Sequence, residues 1–273
     1  METNIRRLMQ DRFGTLPEVR EDSGCGVMTC ANEPYFKGMQ CLFESLQGRV
    51  PFVVCDEGMT DEQVSWCEER MPVVRTTQVM PKEVTGWQAY DKPVYIKSSP
   101  FRYTLFFDPD CVVADDLNPV FDIVRTRPLL VQHAFKEGYP GYNDPRLYDR
   151  FPVRRRAEPP QVINSGVVGF DREAPELLDK WCEFTVKATN DDVRSLTTWW
   201  DEGILHWAIQ DLDCLDRILP YECGYNQFMG MFEERHPYLR TRSCAEAVRL
   251  MPKTPGVTVY HFTGPGKIWD NWQ

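Results

Sequence analysis

Long apolar runs are missing from this 273-residue chain, and none approaches the roughly 20 residues that a helix needs to cross a bilayer. Residues 1–14 alternate charge with single apolar residues and lack the apolar stretch of a signal peptide. These two absences lead to the expectation of a cytoplasmic protein with no membrane span. Basic charge is scarce as well: 31 Lys and Arg against 41 Asp and Glu give a formal net charge of −10. That balance argues against a nucleic-acid partner, which asks for a basic footprint. It leaves room for an anionic small ligand, because a metal ion and a lysine reverse the field locally. Ten cysteines are scattered along the chain, but none forms a Cys-x-x-Cys pair, and Cys25 and Cys30 stand too far apart for a zinc knuckle. With Cys55 and Cys111 inside apolar runs, all are expected as reduced thiols. There is no internal repeat and no low-complexity linker. The first apolar run also lacks the glycine- and Lys/Arg-rich triphosphate loop that a nucleotidyltransferase needs.

What is present reads as a globular α/β protein, 42% hydrophobic and 26% charged, with ample length for a buried core. Residues 25–30 predict a strand, and residues 35–46 a helix with apolar positions at Phe36, Met39, Leu42 and Phe43. Strands follow at 51–55 and 73–74, separated by a helix over 60–70 whose Thr60-Asp61-Glu62-Gln63 start fits a capping box. Such alternation predicts a mostly parallel sheet covered by helices. Later strands fall at 103–107, 129–132, 162–170 and 258–262, and helices at 175–186 and 202–212. Residues 136–160, rich in Pro, Gly, Arg and Tyr, predict a long functional loop.

Two motifs carry chemistry. The apolar strand at 103–107 runs into Asp108-Pro109-Asp110, so both carboxylates lie at the sheet's C-terminal edge, where open α/β sheets bind ligands. Oxygen ligands there suit Mg²⁺ or Mn²⁺ together with diphosphate oxygens. Near the other end, His261 is followed by the turn Thr263-Gly264-Pro265-Gly266 and then by Lys267. A neutral imidazole is a metal ligand, the glycines let backbone approach a bulky anion, and lysine is a point charge for phosphate.

His-Phe-x-Gly-x-x-Lys-x-Trp downstream of a strand ending in Asp-x-Asp resembles glycosyltransferase family 8, the glycogenin and galactosyltransferase group. The resemblance covers residues 26–269, with a poorly matched middle. It implies the GT-A fold: a single Rossmann-like, mostly parallel sheet flanked by helices, with a smaller acceptor-side subregion. Residues 1–24 would be an N-terminal extension, 25–125 the nucleotide-binding half and 126–273 the donor-sugar and acceptor half. The resemblance further implies that Asp108, Asp110 and His261 hold Mn²⁺ or Mg²⁺, and that Lys267 and Gly264 meet the donor diphosphate. Asn32-Glu33-Pro34-Tyr35-Phe36-Lys37-Gly38 is similar to the family's uridine loop, which makes Thr29, Ala31, Asn32, Tyr35, Lys92 and Asp108 the remaining nucleotide-binding candidates. Ala31 stands where a hydroxyl-bearing residue is often found, and Lys97 competes with Lys92. Asn164-Ser165-Gly166 is similar to the strand beside the donor sugar, where small residues suit close approach by a ligand.

Asp201-Glu202-Gly203-Ile204-Leu205-His206 matches the family's Asp-Gln-x-x-Leu-Asn segment, with Glu202 where Gln is usual and His206 where Asn is usual. A glutamate is a better nucleophile than a glutamine, so Glu202 and Asp201 are the catalytic candidates. Helix capping is the plainer role, with Asp201 as N-cap and Glu202 in the first turn. Leu219-Pro220-Tyr221 to Asn226 reads as scaffold. Arg154-Arg155-Arg156 is either a solvated loop face or a counter-charge for phosphates or an anionic acceptor. The implied activity is metal-dependent transfer of a hexose or pentose from a UDP-sugar to a glycan, glycoprotein or other acceptor, with retention. An inverting enzyme using Glu202 as base and a non-catalytic nucleotide-sugar-binding protein are the alternatives.

Overall fold

The computed structural model describes residues 24–75, 91–127, 129–133, 148–149, 152–156, 163–189, 200–219, 223–228, 241–250, 257–262, 267–270 and 272. Strand β1 (Cys25–Ala31) is buried at every position, as a central strand covered on both faces must be. It pairs in parallel with β2 (Phe52–Asp56) and β4 (Tyr103–Phe107), and β2 pairs in parallel with β3 (Val73–Arg75). Beyond β4 the direction changes. Strand β7 (Ile163–Asp171) runs antiparallel to both β4 and β6 (Leu129–His133), and β6 pairs in parallel with the short β8 (Ile218–Leu219). The order is β3-β2-β1-β4-β7-β6-β8, mostly parallel with β7 reversed. The expected mostly parallel α/β sheet is borne out.

The reversal matters for function. Because Phe107 lies opposite Val167, the start of β7 sits at the same edge as the C-terminal ends of β1, β2 and β4. Residues 164–166 therefore flank Asp108, whose N–H donates to Gly166 O at 2.8 Å.

Side chains alternate across the sheet with period two. Val27 and Leu105 face one core with Leu42 of helix α1 (Phe36–Leu46) and Phe121 of α4 (Asn118–Thr126). Met28 and Phe106 face the other, with Tyr95 of α3 (Lys92–Lys97), Trp181 of α5 (Glu176–Thr189) and Leu205 of α6 (Trp200–Asp211). Helix α2 (Asp61–Glu68) begins with the expected capping box between Thr60 and Gln63. Helix α6 begins two residues earlier than an Asp201 N-cap requires, so Asp201 lies inside the first turn with its carboxylate buried.

A second sheet holds β5 (Cys111–Val113), β10 (Val259–His261) and β9 (Gln227–Phe228), in the order β5-β10-β9. Its antiparallel register pairs His261 with Cys111, and Phe262 N–H donates to Asp110 O at 2.9 Å. A third apolar cluster, with Tyr260, Phe262, Ile268, Trp269 and Trp272, anchors the C-terminal segment. Gly38 permits this: a Cβ there would lie 2.5 Å from the Trp269 ring and 2.6 Å from Pro109 O.

The reduced-thiol expectation fails at one pair. Cys41 of α1 and Cys244 of α7 (Cys244–Leu250) form a disulfide across 203 residues, with Cα atoms 5.1 Å apart. Spacing along the chain carries no sign of a pairing that only the packing of α7 on α1 creates. Among the described residues no helix is long and apolar enough to cross a membrane.

Candidate functional site

Strand ends and two helix starts bring two charged groups together at the sheet's edge. The first centres on Lys92, at the start of α3. Its Nζ lies 2.9 Å from Asp108 Oδ1, 2.9 Å from Asp201 Oδ2 and 3.0 Å from Ser165 Oγ, and Ser165 in turn donates to Asp201 Oδ2 at 2.6 Å. An ammonium has three donors, and these partners occupy them. Burial works against the charge on Lys92, but Asp108 and Asp201 outweigh it and raise its pKa. For Asp108 burial dominates and pushes the pKa upward, against Lys92 and His261.

The second group centres on His261, at the end of β10. Its Nδ1 lies 3.0 Å from Asn164 Oδ1, and that oxygen also accepts from Gly166 N–H at 2.9 Å and from Asn226 Nδ2 at 2.6 Å. A backbone N–H can only donate, so the atom facing it is the amide oxygen, and Nδ1 carries the ring proton in the bond to that oxygen. Nε2 then faces Asp110 Oδ1 at 3.1 Å and Asp108 Oδ2 at 3.7 Å. In the neutral form of the ring the Nε2 lone pair and these two carboxylates together make the donor set of a divalent metal. Lys267 Nζ lies 2.5 Å from Asp110 Oδ2. Burial favours the neutral acid at Asp110, but His261 and Lys267 outweigh it and hold its pKa below the ordinary carboxylate range.

Cys111 adds a sulfur to this group, within 4.8 Å of the Asp110 and His261 donors. Burial pushes its thiol well above the usual range. The thiol points to Gly166 O at 3.5 Å, and Mg²⁺ or Mn²⁺ takes carboxylate oxygen in preference to sulfur, so Asp108 is the better third donor.

The remaining candidates separate. Asn32 Oδ1 accepts from Tyr35 N–H at 3.2 Å and caps the turn that leads into α1. Tyr35 meets the Trp269 ring edge-on at 5.8 Å, and Lys267 Nζ lies 5.1 Å from the Tyr35 ring. Ala31 ends β1 and accepts from Glu57 N–H at 2.8 Å. Thr29 is fully buried, and its hydroxyl donates to Phe107 O at 2.7 Å, tying β1 to β4. At Gly166 the close approach is made by protein: a Cβ there would lie 2.0 Å from His261 Cε1. Glu202 Oε1 accepts from Asn164 Nδ2 at 2.5 Å, and the side chain is more open than that of Asp201. Lys97 pairs with Asp179, away from this edge. Arg154, Arg155 and Arg156 are exposed, with Arg155 3.5 Å from Asp213 and Arg156 4.1 Å from the Tyr148 ring centre. Gly264 and most of the 136–160 loop lie outside the described residues.

Two residues join the site that motif reading left out. Asn226 belongs to the segment read as scaffold, yet it is buried against Asn164. Glu57 follows strand β2 as Asp108 follows β4, a signal that was available. Burial raises its pKa to about 8; Lys92 opposes the shift, while Asp91 and Asp108 add to it.

No family model matches the sequence, and no curated protein does. Solved structures do. The galactosyltransferase LgtC in complex with donor and acceptor sugar analogs is 16% identical, with 89% of this chain and 88% of that one covered and a TM-score of 0.55. The bifunctional glycosyltransferase WbbM is 13% identical over 92% of this chain and 48% of its own, with a TM-score of 0.56. GlyE of Streptococcus pneumoniae is 14% identical over 91% and 57%, with a TM-score of 0.54. At these identities the likeness is one of fold, and the chain has the GT-A fold of these glycosyltransferases.

Proposed function

We propose that this chain is a metal-dependent glycosyltransferase of the family 8 type, which moves a sugar from a UDP-sugar to an acceptor with retention. The observation that carries this reading is the His261 Nε2 lone pair turned to Asp110 and Asp108 beside Lys267, a few side chains from Asp201 and Glu202. A divalent ion held by Asp108, Asp110 and His261 would supply charge neutralisation for the departing diphosphate. Lys267 would leave Asp110 for a phosphate oxygen and add to that stabilisation. Tyr35 offers a ring for the uracil and Asn32 a polar side chain at the end of β1.

At the sugar, Asp201 and Glu202 have different parts. Asp201 is committed to Lys92 and Ser165, so it holds the frame. Glu202, more open and oriented by Asn164, is the carboxylate for the anomeric carbon, where it steadies the developing cation or attacks it. LgtC binds donor and acceptor sugar analogs in one of its structures, and an active-site variant of it with glutamine changed to glutamate has the same fold likeness to this chain. The intact set of carboxylates favours catalysis over mere binding of a nucleotide sugar.

A panel of UDP- and GDP-sugars with Mn²⁺, followed by nucleotide release and calorimetry, tests the reading. We expect UDP-sugar turnover by the wild type, and no Mn²⁺-dependent UDP binding by folded Asp110→Ala or His261→Ala. Unchanged UDP affinity in both variants would remove the metal site.

A further inference from the structure

Asn164 touches both halves of the site through one amide. Its oxygen collects Gly166 N–H, Asn226 Nδ2 and His261 Nδ1, while its nitrogen donates to Glu202 Oε1. Asn164, Asn226 and His261 are all buried to 2% exposure or less. The Gly166 N–H settles which end of the amide is oxygen. Asn226 strengthens that choice by donating to the same atom. The imidazole ring fills the place of the missing Gly166 Cβ.

We propose that Asn164 is a positioning residue, keyed by Asn226, that fixes the His261 ring with Nε2 turned to Asp110 and Asp108 and at the same time sets the carboxylate of Glu202. The amide works through these two neighbours and need not touch the donor sugar. An imidazole that donates its second N–H to a fixed acceptor keeps one tautomer and one orientation toward a metal. An amide alone serves both contacts, since one must be accepted and the other donated. The cation in this inference rests on the metal site of the proposed function; the ring geometry does not.

The two ends of the amide can be broken separately. Asn164→Asp keeps an oxygen for His261 Nδ1–H and loses the donor to Glu202. Asn164→Leu, of similar size, loses both. With histidines labelled in ¹⁵N and the His261 resonances assigned by their loss in His261→Ala, the neutral tautomer is read at alkaline pH without metal. Wild type and Asn164→Asp are expected to be Nδ1–H, whereas folded Asn164→Leu moves toward Nε2–H. Titration with Mn²⁺ alone, followed by electron paramagnetic resonance, should show affinity near wild type for Asn164→Asp and a loss of about 10–100-fold for Asn164→Leu. UDP-sugar turnover should fall in both.

A wild-type His261 in the Nε2–H form overturns the proposal. So does a folded Asn164→Leu that keeps both tautomer and Mn²⁺ affinity. If Asn164→Leu does not fold, loss of the Nδ1–H form in Asn164→Asp overturns it equally. A wild type that binds no Mn²⁺ but shows the expected tautomers removes the metal reading and the cation half of this proposal, and leaves the positioning of the ring in place.

Discussion

Lys92 and Lys267 stand at opposite ends of one row of carboxylates, and the protein treats them differently. Lys92 has 9% of its side chain exposed, rises from a helix under the sheet and is shared by Asp108, Asp201 and Ser165. Lys267 has 17% exposed and one carboxylate partner, Asp110. It also lies 5.1 Å from the Tyr35 ring centre and 5.8 Å from that of Trp269. Its segment is held from the side, by Trp269 Nε1 donating to Pro34 O and Trp272 Nε1 donating to Thr241 Oγ1. Partner number and burial, rather than residue type, set Lys92 into the frame and leave Lys267 as the lysine proposed for a ligand.

Removing Lys92 should have the largest effect. Lys92→Met leaves Asp108 and Asp201 facing each other without a counter-charge. Breaking a buried ion pair from one side costs about 3–5 kcal/mol. Urea unfolding should show a loss of that order at neutral pH. A variant as stable as wild type would end the distinction between the two lysines.

Glu202→Gln sharpens the comparison on the acidic side, because Asp201 is bound to Lys92 and Glu202 is not. Donor binding should persist, while turnover falls about a hundredfold or more, the size of a lost acid–base or nucleophilic contribution. If Glu202 only steadies the first turn of α6, the change costs a fraction of about 0.3–1 kcal/mol in stability and nothing in rate. Wild-type turnover in this variant would pass the catalytic part to Asp201.

Lys267→Met should cost less stability than Lys92→Met, since Asp110 keeps His261 beside it when Lys267 is gone. A lost charge-assisted bond to diphosphate is worth about 1.5–3 kcal/mol, so UDP affinity with Mn²⁺ should drop roughly tenfold to a hundredfold. Equal stability losses for Lys267→Met and Lys92→Met would break the comparison from the other side.

Much of this was legible in the sequence. Strands β1, β2, β4 and β7 are apolar enough to be seen directly, and two motifs named the residues that meet at the edge. The reversed direction of β7 was not legible, because pairing partners lie far apart in sequence and direction leaves no mark on composition. The three-residue strand β5 was too short to signal itself. The Cys41–Cys244 bond spans 203 residues, beyond any spacing rule. Asn226 was left as scaffold because nothing along the chain places its amide against Asn164. Gly166 was read as a point of close approach by a ligand, and in the fold the group packed against it is the His261 ring.

The last comparison concerns Glu57, which feels Lys92 after Asp108 and Asp201 have taken it. Burial raises the Glu57 pKa from 4.5 to about 8, with Lys92 the opposing influence. The folded protein thus binds a proton between these values that the unfolded chain releases. Stability must therefore fall as pH rises through that window, because the unfolded state binds fewer protons there. Glu57→Gln removes this proton, so the variant should gain on wild type as pH rises from 4.5 toward 8 and keep a constant lead above it. Urea unfolding across that range checks the sign. Parallel stability curves for the two proteins would mean that Glu57 is ionised in the fold and that Lys92 has charge left to share with a third carboxylate. A ligand phosphate could then compete for Lys92 as proposed for Lys267, and the two lysines would differ in degree rather than in kind.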